Sequence, residues 1–499
     1  MNKNLVFAIL VITSFKFYGQ KLLFETDIAL KSVYFDDKRE SLPIINYSTN
    51  EIAMFLLDKK RINGFLFDNE YKIITNYSSN KPDKKYSILL GYSNYLNEYH
   101  LFFTNENKNK FITKSFDFTS SRSYTKSHDF KLKGEVYLET ISYKNKFYLL
   151  TLKKMSSILK IYEFEGNKIS RTEEIDLTSY KFSNSTRSKL FDVLDQSVPF
   201  KMILSIQKMD NRNPNPLDLT ANINKIYCYN DKLFITLDRD IEDTKLISID
   251  LANFRNTFHT YSKGKIACDD FVNTKSNSYL ADNLLYQIIG CKHELYFSVL
   301  NLTSDILIKE FRVKRDDQIT FRNTPLTEVG SSSIFTNSKE KELENTKQLL
   351  RKIASSHIGI TAYESQENFE ITVGGVKGTS GGDGGGGGGS GGMMMTSPGM
   401  SISSSHGNFN IAPTYNYNTT MYGYRNYRNT RATYFKTLVE KNNFNRINGD
   451  ILDNAFDKIK KFEDQYENDL YSTTIFRIDD YYVFGHYDKK EKKYYLRKF

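Results

Sequence analysis

Two neighbouring runs decide the fold: NEIAMFLL at residues 50–57 and GFLFDNEYKII at residues 64–74. Each leaves a polar turn and enters a short stretch rich in Ile, Leu and Phe, which is strand length rather than helix length. The same two-part unit returns as NEYHLFFT then FITKSFDF from Asn97, NKFYLLTL then LKIYEFEG from Asn145, NDKLFITL then KLISIDL from Asn230, and KHELYFSVL then ILIKEFRV from Lys292. Two weaker copies are HIGITAYE then FEITVGG from His357, and DDYYVFGHY then KKYYLRKF from Asp479. The first two spacings are 47 and 48 residues, and the later ones lengthen to 85, 62 and 65.

Each unit reads as one hairpin with a half-apolar face, which is marginal alone and needs neighbours to cover it. Periods in the high forties fit the blades of a β-propeller, and seven copies make a ring. The last copy runs to Phe499, while Leu22 to Phe35 supplies strand material at the start, so a final blade completed from both ends is expected. The expected fold is therefore all-β, a seven-bladed propeller over residues 20–499. Two domains of unrelated hairpins are the competing arrangement.

Three segments break the β pattern and read as two or three helices on the periphery. Ser338 caps one with Leu343, Leu350 and Ile353 on one face; Asp450 caps another with Leu452, Ala455, Phe456, Ile459 and Phe462. The third is the apolar segment Leu190 to Ile206, followed by the NPNP turn at Asn213 to Pro216. From Gly374 to Gly392 there are 13 glycines in 19 positions. A Ser, Asn and Tyr bias continues to Thr430, and residues 374–430 read as one disordered insertion.

Composition bounds the class. The chain has 499 residues, 14% of them aromatic, with no Trp, and carries a net charge of +10. That aromatic content supports a buried core, which excludes disorder throughout. Residues 1–19 have a positive start at Lys3, an apolar run from Leu5 to Ile12 and small Gly19 before Gln20, the order of a secretory signal peptide. A first β-strand is the competing reading. The expected location is the periplasm, the outer-membrane surface or the medium. Cys228, Cys268 and Cys291 read as three small buried hydrophobes, with a Cys268–Cys291 bridge as the alternative.

Local catalytic motifs are weak. Gly378, Ser380 and Gly382 match GxSxG, but without the strand-to-helix turn that exposes a nucleophile. The seven histidines never pair at i, i+4, so no metal and no cofactor is called for. Asp238, Asp240 and Asp243 read as a solvated hairpin turn rather than a calcium loop. The candidate binding residues are Tyr415, Tyr417, Tyr422, Tyr424, Arg425, Tyr427, Arg428 and Arg431, which interleave flat rings with planar cations. A cell-envelope protein or an anionic polysaccharide is the partner expected there; nucleic acid is set aside.

With its signal segment, its Lys, Asn, Ile and Tyr bias and its hairpin repeats, the chain resembles the pool of uncharacterised exported β-propeller-like proteins of low-GC Gram-negative bacteria. The resemblance covers most of the chain loosely and carries over no active residue. The function expected is an exported binding or scaffolding module. The alternative is a hydrolase or lyase acting on glycans or peptides, with a funnel site built from several blades.

Overall fold

A computed structural model describes residues 20–31, 40–197, 202–268, 273–330, 340–365, 368–377, 417–466 and 470–499. The expected signal peptide, residues 1–19, lies outside them. Within them the chain is all-β and propeller-like, with seven sheets of four or five strands that follow chain order. The first sheet takes residues 40–80, the second 88–128, the third 135–176, the fourth 207–262 and the fifth 275–314. The sixth combines Leu326–Val329, Glu340–Leu343, His357–Glu364, Asn368–Val376 and Ala432–Glu440. In the seventh, strands Leu470–Ile478, Tyr481–Asp488 and Lys493–Lys498 are joined by Lys21–Asp27 from the other end of the chain. That last pairing is antiparallel, from Lys21 opposite Lys498 to Asp27 opposite Lys493.

The repeat has a physical cause. In most sheets the quoted unit is the pair of inner strands, such as Ile52–Leu57 and Arg61–Phe67, which are covered on both faces and so read as apolar runs. Outer strands such as Ile73–Asn80 are half exposed and read as polar. The Asn that opens several copies sits in the turn with a positive φ, 59° at Asn50, 64° at Asn145 and 50° at Asn230. Asn tolerates that left-handed backbone better than most residues.

Consecutive sheets share apolar cores. Phe55 of the first packs with Tyr99 and Phe116 of the second. Phe102 of the second stacks on Phe147 of the third with centroids 4.0 Å apart. Leu150 and Ile161 of the third meet Ile226 and Ile235 of the fourth, and the fourth, fifth and sixth share one large cluster. The seventh reaches back to the first through Phe476, Val483 and Leu496 against Met54 and Phe67, and Ser41 Oγ donates to Ser472 O at 2.7 Å.

A buried charge cluster also ties the fourth sheet to the fifth, and it corrects the reading of Asp238 as part of a solvated turn. The Asp238 carboxylate lies 3.2 Å from Lys225 Nζ and 3.1 Å from Lys263 Nζ, and all three side chains are fully buried. Ser278 Oγ and Thr244 Oγ1 donate to the same carboxylate at 2.7 and 2.8 Å. Asp238 directly follows strand Lys232–Leu237 and is buried there, which a charge pattern alone does not reveal.

The helices differ from expectation in number, place and capping. Five occur among the described residues: α1 (Leu190–Leu194), α2 (Leu217–Thr220), α3 (Thr346–Ala354), α4 (Thr419–Arg428) and α5 (Ala455–Glu463). Leu343 belongs to a strand rather than to α3, whose cap is Asn345; Ser338 lies outside the described residues. The cap of α5 is Asn454, not Asp450, and Leu452 is exposed ahead of it. None is long and apolar enough to cross a membrane.

The insertion expected at 374–430 is corrected at both ends. Gly374, Gly375 and Val376 pair with Tyr434, Thr433 and Ala432 as the end of a strand. A side chain on Gly374 would strike the Thr433 carbonyl and Tyr434, so glycine here permits a close strand approach. At the other end, residues 417–430 contain α4, with Met421 and Tyr424 buried. The stretch 378–416 lies outside the described residues. Cys268 and Cys291 form a disulfide, correcting the reading of three free buried cysteines, and Cys228 keeps its thiol.

Candidate functional site

The sixth sheet has two unlike faces. Ile360, Ala362, Ile371, Val373 and Phe435 point into the core shared with the fifth sheet. The alternate residues are polar: Thr361 and Tyr363 on one strand, Glu370 and Thr372 on the next, Tyr434 and Lys436 on the third. Register sets them in rows, with Thr361 opposite Thr372 and Thr372 opposite Lys436, and with Tyr363 opposite Glu370. Such a face cannot close against another sheet without stranding its hydroxyls and charges. Two helices stand over it instead.

These are α4 and α5, which present their apolar sides to the seventh sheet through Met421, Tyr424, Phe456, Ile459 and Phe462. Asn418 caps α4 by accepting from Met421 N. Asn454 caps α5 by accepting from Phe456 N and Asp457 N, while the Asp457 carboxylate accepts from Asn454 N. The C-terminal end of α4 and the N-terminal end of α5 thus meet over the polar face. They are joined by Tyr427 Oη, which donates to Asp457 Oδ1 at 2.6 Å. Between face and helices lies a chamber of about 340 Å³, lined also by Pro214 to Leu217.

Charges in the chamber are largely paired. Lys436 Nζ lies 2.7 Å from Glu370 Oε1. Burial alone would lower the Lys436 ammonium, but the Glu370 carboxylate outweighs it and holds the group above the usual lysine range. Arg428 bridges Glu463 at 2.6 Å and Asp464 at 3.0 Å. Asp218 accepts from Thr430 Oγ1 and lies beside Arg431; its carboxyl is pushed up chiefly by burial. Burial likewise raises the phenols of Tyr363, Tyr427 and Tyr434, so all three are neutral donors at neutral pH.

The residues singled out from sequence divide. Tyr427, Arg428 and Arg431 line the chamber. Tyr417 packs between the first and second sheets, and Tyr422 against the core of the fourth to sixth. Tyr424 is buried and donates to Glu463, and Arg425 sits in the last turn of α4. Tyr415 lies outside the described residues. The cluster is thus a packed helix rather than a solvated loop, and most of its polar groups are engaged inside the protein. Sequence reasoning missed the floor: Thr361, Tyr363, Glu370, Thr372, Tyr434 and Lys436. A signal existed in the strict alternation of ITAY, EITV and YFKT, where the inner strands of other sheets are apolar on both faces.

A second segment governs where a funnel site could lie. Strand Gln207–Met209 pairs in parallel along the free edge of Asn224–Tyr229. From this strand Lys208 Nζ donates to Thr140 O at 2.6 Å; just beyond it Asn215 Nδ2 donates to Tyr279 Oη at 3.0 Å, and Arg212 O accepts from Arg477 Nη1 at 2.7 Å. Helix α2 then packs on the sixth sheet, where Thr220 and Ala221 approach Gly359. The segment from Gln207 to Ala221 thus touches the third, fifth, sixth and seventh sheets. Its own Asp210 pairs with Arg212 at 2.8 Å, which outweighs burial and holds the carboxyl below its usual range.

No protein-family model matches the chain, and no curated protein matches it in sequence. Among solved structures it is similar to an ACO/RPE65 chimera at 6% identity and TM-score 0.28, over 57% of this chain and 64% of that one. A Synechocystis apocarotenoid oxygenase gives 6% identity and TM-score 0.27, over 57% and 62%. The dihydro-heme d1 dehydrogenase NirN gives 7% and 0.28, over 65% and 53%. The chain spans less than two thirds of each, and overlaps this shallow bear on no chemistry.

Proposed function

We propose that the chain is an exported binding module on a closed propeller of seven blades, and that its ligand site is the polar chamber of the sixth sheet. The observation that carries this is the chamber itself: a sheet face that other blades spend on packing is here polar, roofed by two capped helices and left open. In this reading the axial funnel, where a propeller usually receives ligands, is filled by the chain's own segment from Gln207 to Thr220, which its contacts with the third, fifth, sixth and seventh sheets support. The reading as a hydrolase or lyase gains no support from the three chamber carboxylates, since Glu370 is paired with Lys436, Asp457 serves the α5 cap and Tyr427, and Glu340 is exposed on the edge strand. Export agrees with the Cys268–Cys291 bridge, because such bonds persist in oxidising compartments.

The site is tested by filling it. Thr372→Trp places a large ring on the chamber floor, and Arg477→Ala alters the convergent strand ends outside it. Compounds from a library of polar small molecules that raise the melting temperature should lose their effect in Thr372→Trp and keep it in Arg477→Ala. The opposite pattern overturns the site. Export is tested by the N-terminus of the cellular protein, expected near Gln20; an intact Met1 on the abundant form overturns it.

A further inference from the structure

We infer that the chamber takes a neutral saccharide of one or two rings; this rests on the reading of the chamber as the ligand site. Its volume of about 340 Å³ falls at the small end of ligand pockets and excludes a bulky polymer segment. Thr372 and Lys436, opposite each other, set a hydroxyl and an ammonium at the strand interval of about 4.8 Å, while Thr361 Oγ1 beyond them is buried. That is a pair of donors on the scale of hydroxyls across a pyranose ring. Beside it, Lys436 and Glu370 present a donor and an acceptor 2.7 Å apart, nearly buried. A vicinal diol, in which each hydroxyl both gives and accepts, can bridge such a pair without displacing either charge. Tyr363 and Tyr434 add ring surface for the C–H face of a sugar.

Charge decides against the acidic ligands that the Tyr and Arg cluster suggests. Lys436 and Arg428 are held by carboxylates, Arg431 lies beside Asp218, and Lys460 and Glu340 balance in sign. On the floor, where Lys436 supplies the cation, an anion would have to break the largely buried pair with Glu370, which costs more than breaking an exposed one. A neutral polyol adds hydrogen bonds and leaves the pairs intact.

Isothermal titration on the full chain tests this with cellobiose, maltose and N,N′-diacetylchitobiose as neutral probes, digalacturonate as the acidic probe and Gly-Tyr as the zwitterion. At least one neutral disaccharide should bind, weaken about tenfold in Thr372→Val through one lost hydrogen bond, and change little with added salt. Thr372→Val preserves shape, so its melting temperature should stay close to that of the parent; Lys436→Met is the second, harsher variant. If digalacturonate or Gly-Tyr binds instead and Thr372→Val weakens it, the neutral-saccharide inference falls while the chamber stands. If a disaccharide binds equally to both variants, the chamber falls. If no probe binds, the saccharide inference is overturned.

Discussion

Replacing Asp238 by Asn should cost the body about 3–5 kcal/mol at pH 7, the usual loss when one partner of a buried ion pair is removed. The substitution keeps shape and an accepting oxygen but strands two ammoniums, Lys225 and Lys263, both fully buried. In the intact cluster burial pulls Lys225 down to about 8, and the Asp238 charge keeps it from falling further. Burial would raise Asp238, yet Lys263, Lys225 and the two hydroxyls hold it at about 2. Across a chain of 499 residues, an unfolding entropy of about 2.1 cal/mol/K per residue sums to about 1 kcal/mol/K. The loss then shows in calorimetry as a fall in Tm of about 3–5 °C if the body melts in one step. The pH dependence has a definite sign. Without Asp238 the folded variant binds fewer protons than the folded parent up to and beyond pH 8, so the deficit shrinks as pH rises from 6 to 9. A fall of less than about 1 °C, or a deficit that does not change with pH, refutes the reasoning.

Deleting Tyr494 to Phe499 removes a strand held between Tyr481–Asp488 and Lys21–Asp27, with Tyr494 and Leu496 almost fully buried. It should lower the midpoint of the whole transition, and Leu496→Ala alone should cost about 2–5 kcal/mol; a melt matching the full chain refutes both. Burial holds His100 and His128 at about 4 and His486 at about 3. Their unfolded values near 6.5 are higher, so the unfolded state takes up protons first and stability falls as pH drops from about 6.5 to 4; thermal melts that stay flat over that window refute this. Thiol titration of the denatured, unreduced chain should find one group, Cys228, and a count of three would remove the Cys268–Cys291 bridge.

The β character and the joining of both chain ends were legible because the inner strands are covered on two faces, and that requirement writes unbroken apolar runs such as IAMFLL and FYLLTL. Helix starts were less legible. Asn345 and Asn454 act as caps, yet Ser338 and Asp450 nearby carry the same local signal, and only tertiary packing chooses between them. The charge cluster around Asp238 was illegible, since Lys225 lies within one strand while Asp238 and Lys263 each follow the end of another, and each alone reads as an exposed residue. The Tyr and Arg stretch misled for a related reason: composition marks it as low in complexity, whereas Met421 and Tyr424, three apart, face one apolar core and make it a helix.

The weakest repeats carry a positive signal. A strand that packs on both faces leaves no room for a ligand, so a repeat protein can open a chamber only where one face gives up its apolar pattern. In this chain the copy from His357 keeps one apolar face and yields the other to Thr361, Tyr363, Glu370 and Thr372, and the copy from Asp479 packs one face on the first sheet and the other against α4 and α5. The two copies hardest to see in sequence therefore flank the chamber. The same logic orders the chain between 323 and 440: with Leu326–Val329 and Glu340–Leu343 at the far edge, Ala432–Glu440 is internal, and Lys436 is held by Thr372 on one side and by Asn323 and Thr324 on the other, with its charge fixed against Glu370. A floor held this way is preorganised, and preorganised polar groups are what a small ligand with many hydroxyls needs if its binding is to exceed the cost of its desolvation.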